Sequence, residues 1–210
     1  MEKIVFLGGN GLAIELYEYM KQDGINIFGY YAPRPDTLSE WVPYLGDERY
    51  GFNADYSYVV ACGLMPLRKK LITFIEENNL TTYTYISKKA YISSLATIGE
   101  GAQIVPNTVI SGNPIIGKYV FVNAFGMIAH QSIVGNNVVL SPGVKITGNC
   151  NIGDNVMMGS NVSLIPGTRI ENDVEIGIGA IPKRLVKTGK FVKGPKSDVI
   201  DMQIFKSNIL

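Results

Sequence analysis

From residue 92 to residue 176 every sixth position holds an aliphatic residue or methionine. The series is Ile92, Ile98, Ile104, Ile110, Ile116, Val122, Ile128, Val134, Leu140, Ile146, Ile152, Met158, Leu164, Ile170 and Ile176. Two residues before each, the side chain is mostly small or β-branched, as at Ala96, Ala102, Thr108, Val120 and Gly126. Six-residue repetition is the mark of a parallel β-helix. Each hexad is a short strand and a corner, with one large aliphatic side chain turned inward and a smaller one beside it. Gly99, Gly117, Gly135 and Gly153 recur every eighteen residues. Three hexads therefore close one coil, and one corner of that coil has no room for a side chain. Five coils at a strand spacing of about 4.8 Å make a prism about 24 Å tall. An antiparallel sandwich would instead show period two and irregular turns.

The first half has another rhythm. "KIVFL" (3–7) reads as a buried strand that runs into the turn Gly8-Gly9-Asn10-Gly11. "LAIELYEYMKQ" then places Leu12, Leu16, Tyr19 and Met20 on one helical face. "NIFGYY" (26–31), "YSYVVAC" (56–62) and "TYTYI" (82–86) read as strands, and "PLRKKLITFIEENN" (66–79) as a helix with Pro66 near its start. Alternating strands and helices predict a small parallel sheet with helices against it. Eleven of twelve tyrosines precede residue 92, and the second half is rich in Val, Ile, Gly and Asn. The composition change sets the boundaries: a Rossmann-like α/β domain over 1–86, a parallel β-helix over 87–182 and a basic segment over 183–210.

A formal net charge of +1 carries no bias toward nucleic acid or a membrane surface. The run "IVFL" is too short for a signal peptide, and no stretch reaches the roughly 18 apolar residues of a spanning helix. Cys62 and Cys150 are no disulfide framework. A cytoplasmic protein with reduced thiols is expected.

The hexads, of the form [IV]-G-x-x-x-x, resemble those of the hexapeptide acyltransferases, and that resemblance implies a left-handed β-helix. The whole chain is similar to one subgroup, bacterial acetyltransferases of nucleotide-linked amino sugars or of sialic acid, in which a small Rossmann-like domain precedes the β-helix. Three stretches carry the likeness: "IVFLGGNGLA" (4–13), residues 123–148, and "FVKGPK" (191–196). The resemblance implies acetyl-CoA as acyl donor, a nucleotide-sugar acceptor for a bacterial surface glycan, and a homotrimer with its active site between subunits. It implies no metal. The β-helical carbonic anhydrases need three histidine ligands, and this chain has one histidine.

That histidine, His130, lies two residues past the inward Ile128 and so outside the core. By resemblance it is the general base, since imidazoles as a class titrate near neutrality. The backbone N–H of Gly148, one coil away, would hold the oxyanion, and Asn123 would orient the substrate or the imidazole. Where relatives have an acid after the histidine, this chain has Gln131, whose amide oxygen can fix the tautomer but cannot neutralise an imidazolium. Gly8, Gly9, Asn10 and Gly11 would offer backbone N–H groups to the nucleotide. Leu12 stands where the family has a histidine. Ala32-Pro33 replaces its acidic pair, with Asp36 only later, so the nucleotide stays open. Arg68 is a further candidate contact. Ser141 (before Pro142), Gly148, Lys183, Arg184, Lys193, Gly194 and Pro195 would hold coenzyme A. O-acetylation of sialic acid and a non-catalytic β-helical scaffold are the other readings.

Overall fold

The computed structural model describes residues 2–196. The N-terminal domain is built from β1 (Ile4–Leu7), α1 (Gly11–Gln22), β2 (Ile27–Tyr31), β3 (Tyr44–Gly46), β4 (Ser57–Val60), α2 (Met65–Glu77) and β5 (Thr81–Thr82). Its sheet is parallel, in the order β3-β2-β1-β4-β5. All four residues of β1 are buried, as a central strand covered on both sides requires. Ala13, Leu16 and Met20 bury the inner face of α1. Pro66 sits in the first turn of α2, where its missing N–H costs nothing. Strand order reverses at β1 and β4, so a crevice opens beyond their carboxyl ends.

Two elements escape the sequence pattern. A single 3-10 turn (Thr37–Glu40) and β3 fill the stretch after β2. Three residues on a sheet edge are too few to show a period. The predicted strand 82–86 is in fact two: β5 closes the first sheet, and Tyr85–Ile86 opens the β-helix. The chain passes from one domain into the other with only Tyr83 and Thr84 between them.

The second domain is a left-handed parallel β-helix. Two-residue strands eighteen residues apart stack into three faces. The first face includes Gln103–Ile104, Phe121–Val122 and Val139–Leu140; the second, Val109–Ile110, Met127–Ile128 and Lys145–Ile146; the third, Ile115–Ile116, Ile133–Val134 and Asn151–Ile152. From Ile104 to Ile176 every inward position of the hexad series is buried. Pairing runs from Tyr85 to Val192, wider than the 87–182 expected. Leu185–Val186 and Phe191–Val192 thus turn the start of the basic segment into a last, shortened coil. Residues 197–210 of that segment lie outside the described residues.

The eighteen-residue glycines stand where the third face turns into the first. A Cβ on Gly117 would lie 2.7 Å from the carbonyl carbon of Gly135, and one on Gly135 2.7 Å from that of Gly153. Close approach, not unusual φ, excludes a side chain. Beside this column the N–H groups of Lys118, Asn136 and Asp154 donate to Asn136, Asp154 and Asn172 one coil on. Another position of the hexad repeatedly takes positive φ, with Asn107, Asn137, Asn149, Asn155 and Asn161 among its occupants. That conformation accounts for the asparagine-rich second half.

The outward side of the first face is covered by the N-terminal domain. Gln103, Phe121 and Val139 are buried there, and Phe121 and Val139 join Phe6, Leu16 and Tyr85 in one apolar cluster.

Candidate functional site

His130 sits at the second corner, between Met127–Ile128 of the second face and Ile133–Val134 of the third. Its side chain is exposed. Glycines flank it one coil down and one coil up. A Cβ on Gly112 would stand 2.6 Å from the His130 Cβ, and one on Gly148 2.5 Å from Nε2. The imidazole therefore lies flat on Gly148, a contact only glycine permits. Nδ1 faces Gln131 Oε1 at 3.3 Å, so the amide oxygen can accept a hydrogen bond from Nδ1–H and leave Nε2 as the acceptor. Gln131 is held at φ 57°, its N–H donating to Asn113 Oδ1. The His130 carbonyl accepts from Asn149 N–H at 3.0 Å. Among the described residues the N–H of Gly148 has no hydrogen-bond acceptor, while its carbonyl accepts from Gly167.

Asn123 lies at the first corner, between the first and second faces, at the far end of the Met127–Ile128 strand from His130. Its Oδ1 accepts from Ala124 N–H at 2.7 Å. Within one chain it does not hydrogen-bond the imidazole. Asn123 and Ser141 instead form one wall of a cleft of about 330 Å³ between the domains. The facing wall is Gly11 and Leu12 at the start of α1 with Gly63 and Leu64 after β4. This is the crevice that the strand order places.

The glycine turn differs from expectation in one respect. Gly8 N–H donates to Tyr31 O, and Asn10 N–H donates to Asp36 Oδ2 at 3.0 Å. The Asp36 carboxylate occupies the space a Cβ on Gly9 would need. An anion of the chain's own thus fills the outer side of the turn, and Gly11 and Leu12 are the turn residues that line the cleft. Asp36 lies 26 residues from Asn10, and only its placement ahead of Leu38, whose N–H it caps, hinted at a role.

Arg68 is not a nucleotide contact, because its side chain is fully buried. Burial pushes its pKa down to about 10, so it remains a cation at neutral pH.

The basic residues divide. Arg184 leans over Gly167 at the second corner, its Nη1 3.7 Å from where a Cβ would be, on the same edge as His130 and Gly148. Gly194 packs on Ile178 and Pro195 on Gly179, above the first corner. Lys183 and Lys193 are exposed. Cys150 points inward and is buried, as expected of a packing residue. The structure thus separates the candidate residues into two sets, two candidate half-sites: His130, Gln131, Gly148 and Arg184 on one edge, and the crevice with Asn123 and Ser141 on another.

The sequence matches no family model and no curated protein. Solved structures do resemble it. The acetyltransferase domain of PglB from Neisseria gonorrhoeae superposes with a TM-score of 0.82 at 20% identity, over 91% of this chain and 96% of that one. WeeI from Acinetobacter baumannii gives 0.82 at 24% identity, over 92% and 97%. PerB from Caulobacter crescentus, in complex with CoA and GDP-perosamine, gives 0.77 at 23% identity, over 92% of each chain. The shared property is the fold: a small parallel α/β sheet followed by a β-helix over nearly the whole chain.

Proposed function

We propose that the chain is an acetyl-CoA-dependent N-acetyltransferase that acts on the amino group of a nucleotide-linked sugar, with His130 as general base. The observation that carries this reading is the single histidine of the chain, exposed on an edge, seated on a glycine and oriented through Nδ1. The likeness to PerB, solved with CoA and GDP-perosamine, and to the PglB domain, solved with acetyl coenzyme A, supports both substrates.

In this reading the amine nitrogen attacks the thioester carbonyl, and His130 Nε2 takes the proton released as the C–N bond forms. The N–H of Gly148, without another acceptor among the described residues, stabilises the oxyanion. The C–S bond then breaks and the thiolate leaves, taking a proton. A cradle with no side chain at Gly148 and Gly167, ending at Arg184, fits the acyl donor along this edge, its phosphates toward Arg184 and Lys183. The nucleotide end of the acceptor occupies the crevice of Gly11, Leu12, Asn123 and Ser141.

These two halves lie on different corners, so one copy supplies the crevice and its neighbour the histidine. That arrangement supports a homotrimer. Exposed apolar residues border the His130 edge: Tyr91 and Val109 on one side, Ile115 and Ile133 on the other, with Leu95 on the edge itself. An apolar patch of this kind marks an interaction surface. Among the described residues no helix is long and apolar enough to cross a membrane. A surface-glycan precursor enzyme of this kind would act in the cytoplasm.

Thiol release from acetyl-CoA with a panel of UDP-, dTDP- and GDP-amino sugars tests the proposal. Release with one or more of them is expected. Release only with sialic acid would make the protein an O-acetyltransferase. Failure to bind acetyl-CoA by calorimetry would leave a non-catalytic scaffold.

A further inference from the structure

We infer that Arg68 is a positioning residue that sets the nucleotide crevice by clamping the end of β4 to the β-helix. This inference rests on the crevice reading above.

Arg68 stands in the first turn of α2, its N–H bonded to Leu64 O at 2.8 Å. Its guanidinium is fully buried, and among the described residues no carboxylate is one of its partners. It donates through Nη1 to the carbonyls of Val60 (3.1 Å) and Cys62 (2.9 Å). Nη2 donates to Tyr119 O at 2.5 Å and Nε to Asn137 Oδ1 at 2.9 Å. The first pair of acceptors lies where β4 leaves the sheet. The second pair lies at the third corner of the β-helix, on successive coils, and Asn137 passes the link on to Asn155 Oδ1 at 2.9 Å. One side chain therefore ties the segment Val60–Leu64 to two coils of the other domain.

A buried cation that meets only neutral acceptors among the described residues is a costly way to fill space, and an apolar side chain of the same volume is often as stabilising or more so. The geometry gives it a purpose. Gly63 and Leu64 form the crevice wall that faces Asn123 and Ser141. The carbonyls Arg68 grips immediately precede them, so the guanidinium fixes how far that wall stands from the β-helix. The planar fork with donors in set directions is what the task requires, and the point charge of a lysine cannot span four acceptors. His130 and Gly148 lie at another corner and do not share this link.

The test compares the whole protein with Arg68→Lys and Arg68→Met by two measurements. Calorimetry with UDP, dTDP, GDP and acetyl-CoA should show at least tenfold weaker binding of the preferred nucleoside diphosphate in the Lys variant. Acetyl-CoA binding should stay within twofold. Hydrogen exchange should quicken at the amides of Ala61–Leu64 and not in α1 or at the His130 corner. If the Met variant fails to fold, Asn137→Ser removes one arm of the clamp and should show the same selectivity at smaller amplitude. Unchanged exchange at Ala61–Leu64 in Arg68→Lys, or equal weakening toward nucleotide and acetyl-CoA, would overturn the inference. If the unaltered protein binds no nucleoside diphosphate while Arg68→Lys loosens Ala61–Leu64, the crevice reading fails and the clamp stands.

Discussion

At the scale of single residues the candidate chemistry rests on a side chain and a missing one. Replacing His130 with alanine should lower kcat by about a hundred- to ten-thousand-fold, the usual worth of a positioned general base, with acetyl-CoA binding retained; near-normal turnover would remove the histidine from the mechanism. Gly148→Ala tests the same contact from the next coil. Its methyl group would stand 2.5 Å from Nε2, so the ring must leave its seat. The φ of Gly148 is not in the left-handed region, so the fold should survive while activity falls. Gln131→Glu should raise kcat several-fold, because a carboxylate facing Nδ1 stabilises the imidazolium that an amide oxygen cannot. Phe125 marks a different residue-scale fact. It is held at φ 60° with 67% of its surface exposed, in a ladder whose neighbours are Asn107, Gly143 and Asn161. Phe125→Asn should stabilise by about 1 kcal/mol, seen as a melting temperature higher by about 2–4 °C. His130 was legible because it is unique and its phase in the hexad puts it outside the core. The Asp36 bond to Asn10 and the burial of Arg68 were not, since each depends on contacts far apart in sequence.

At the scale of elements, periodicity decided what could be read. The hexads gave every coil from Ile92 to Ile176 because each repeats one physical requirement, an aliphatic side chain inside a prism. The last coil reads as a basic tail because its spacing slips from six and its strands lie among lysines. The junction between domains was also hidden, since one tyrosine-rich run, "TYTYI", serves two sheets. A buried carboxylate stitches that junction. Asp23, just past α1, accepts from Tyr85 Oη at 2.8 Å and from Lys88 N–H at 3.1 Å. Burial alone would raise its pKa, but hydrogen bonds from Tyr85, Ser87 and Lys88 outweigh burial and hold it below the ordinary value of 3.8. A carboxylate with a lowered folded pKa adds stability above its unfolded pKa and loses it as pH falls through the folded value. The unaltered protein should therefore weaken below about pH 4. Asp23→Asn should be less stable at pH 7 and show a smaller further loss at pH 3, read as urea midpoints; an equal loss in both proteins would mean that Asp23 does not govern this step.

At the scale of the whole molecule, the two half-sites pose the question of how many copies make one site. The crevice opens at the first corner, His130 stands at the second, and the N-terminal domain covers the first face. In the proposed homotrimer the second corner of one copy would stand beside the first corner of the next, so that two copies complete one site. Complementation can decide the matter. His130→Ala leaves the crevice intact. Gly63→Phe should fill the crevice, because a Cβ there meets only Leu12 Cδ2 at 3.6 Å, and it leaves the histidine untouched. Each variant alone should be inactive. If they are unfolded together and refolded as a mixture, random trimers place an intact crevice against an intact histidine at about a quarter of their interfaces. Activity should return to about that fraction of the unaltered level. A site contained in one chain predicts no recovery at any mixing ratio, because every copy in the mixture carries one broken half.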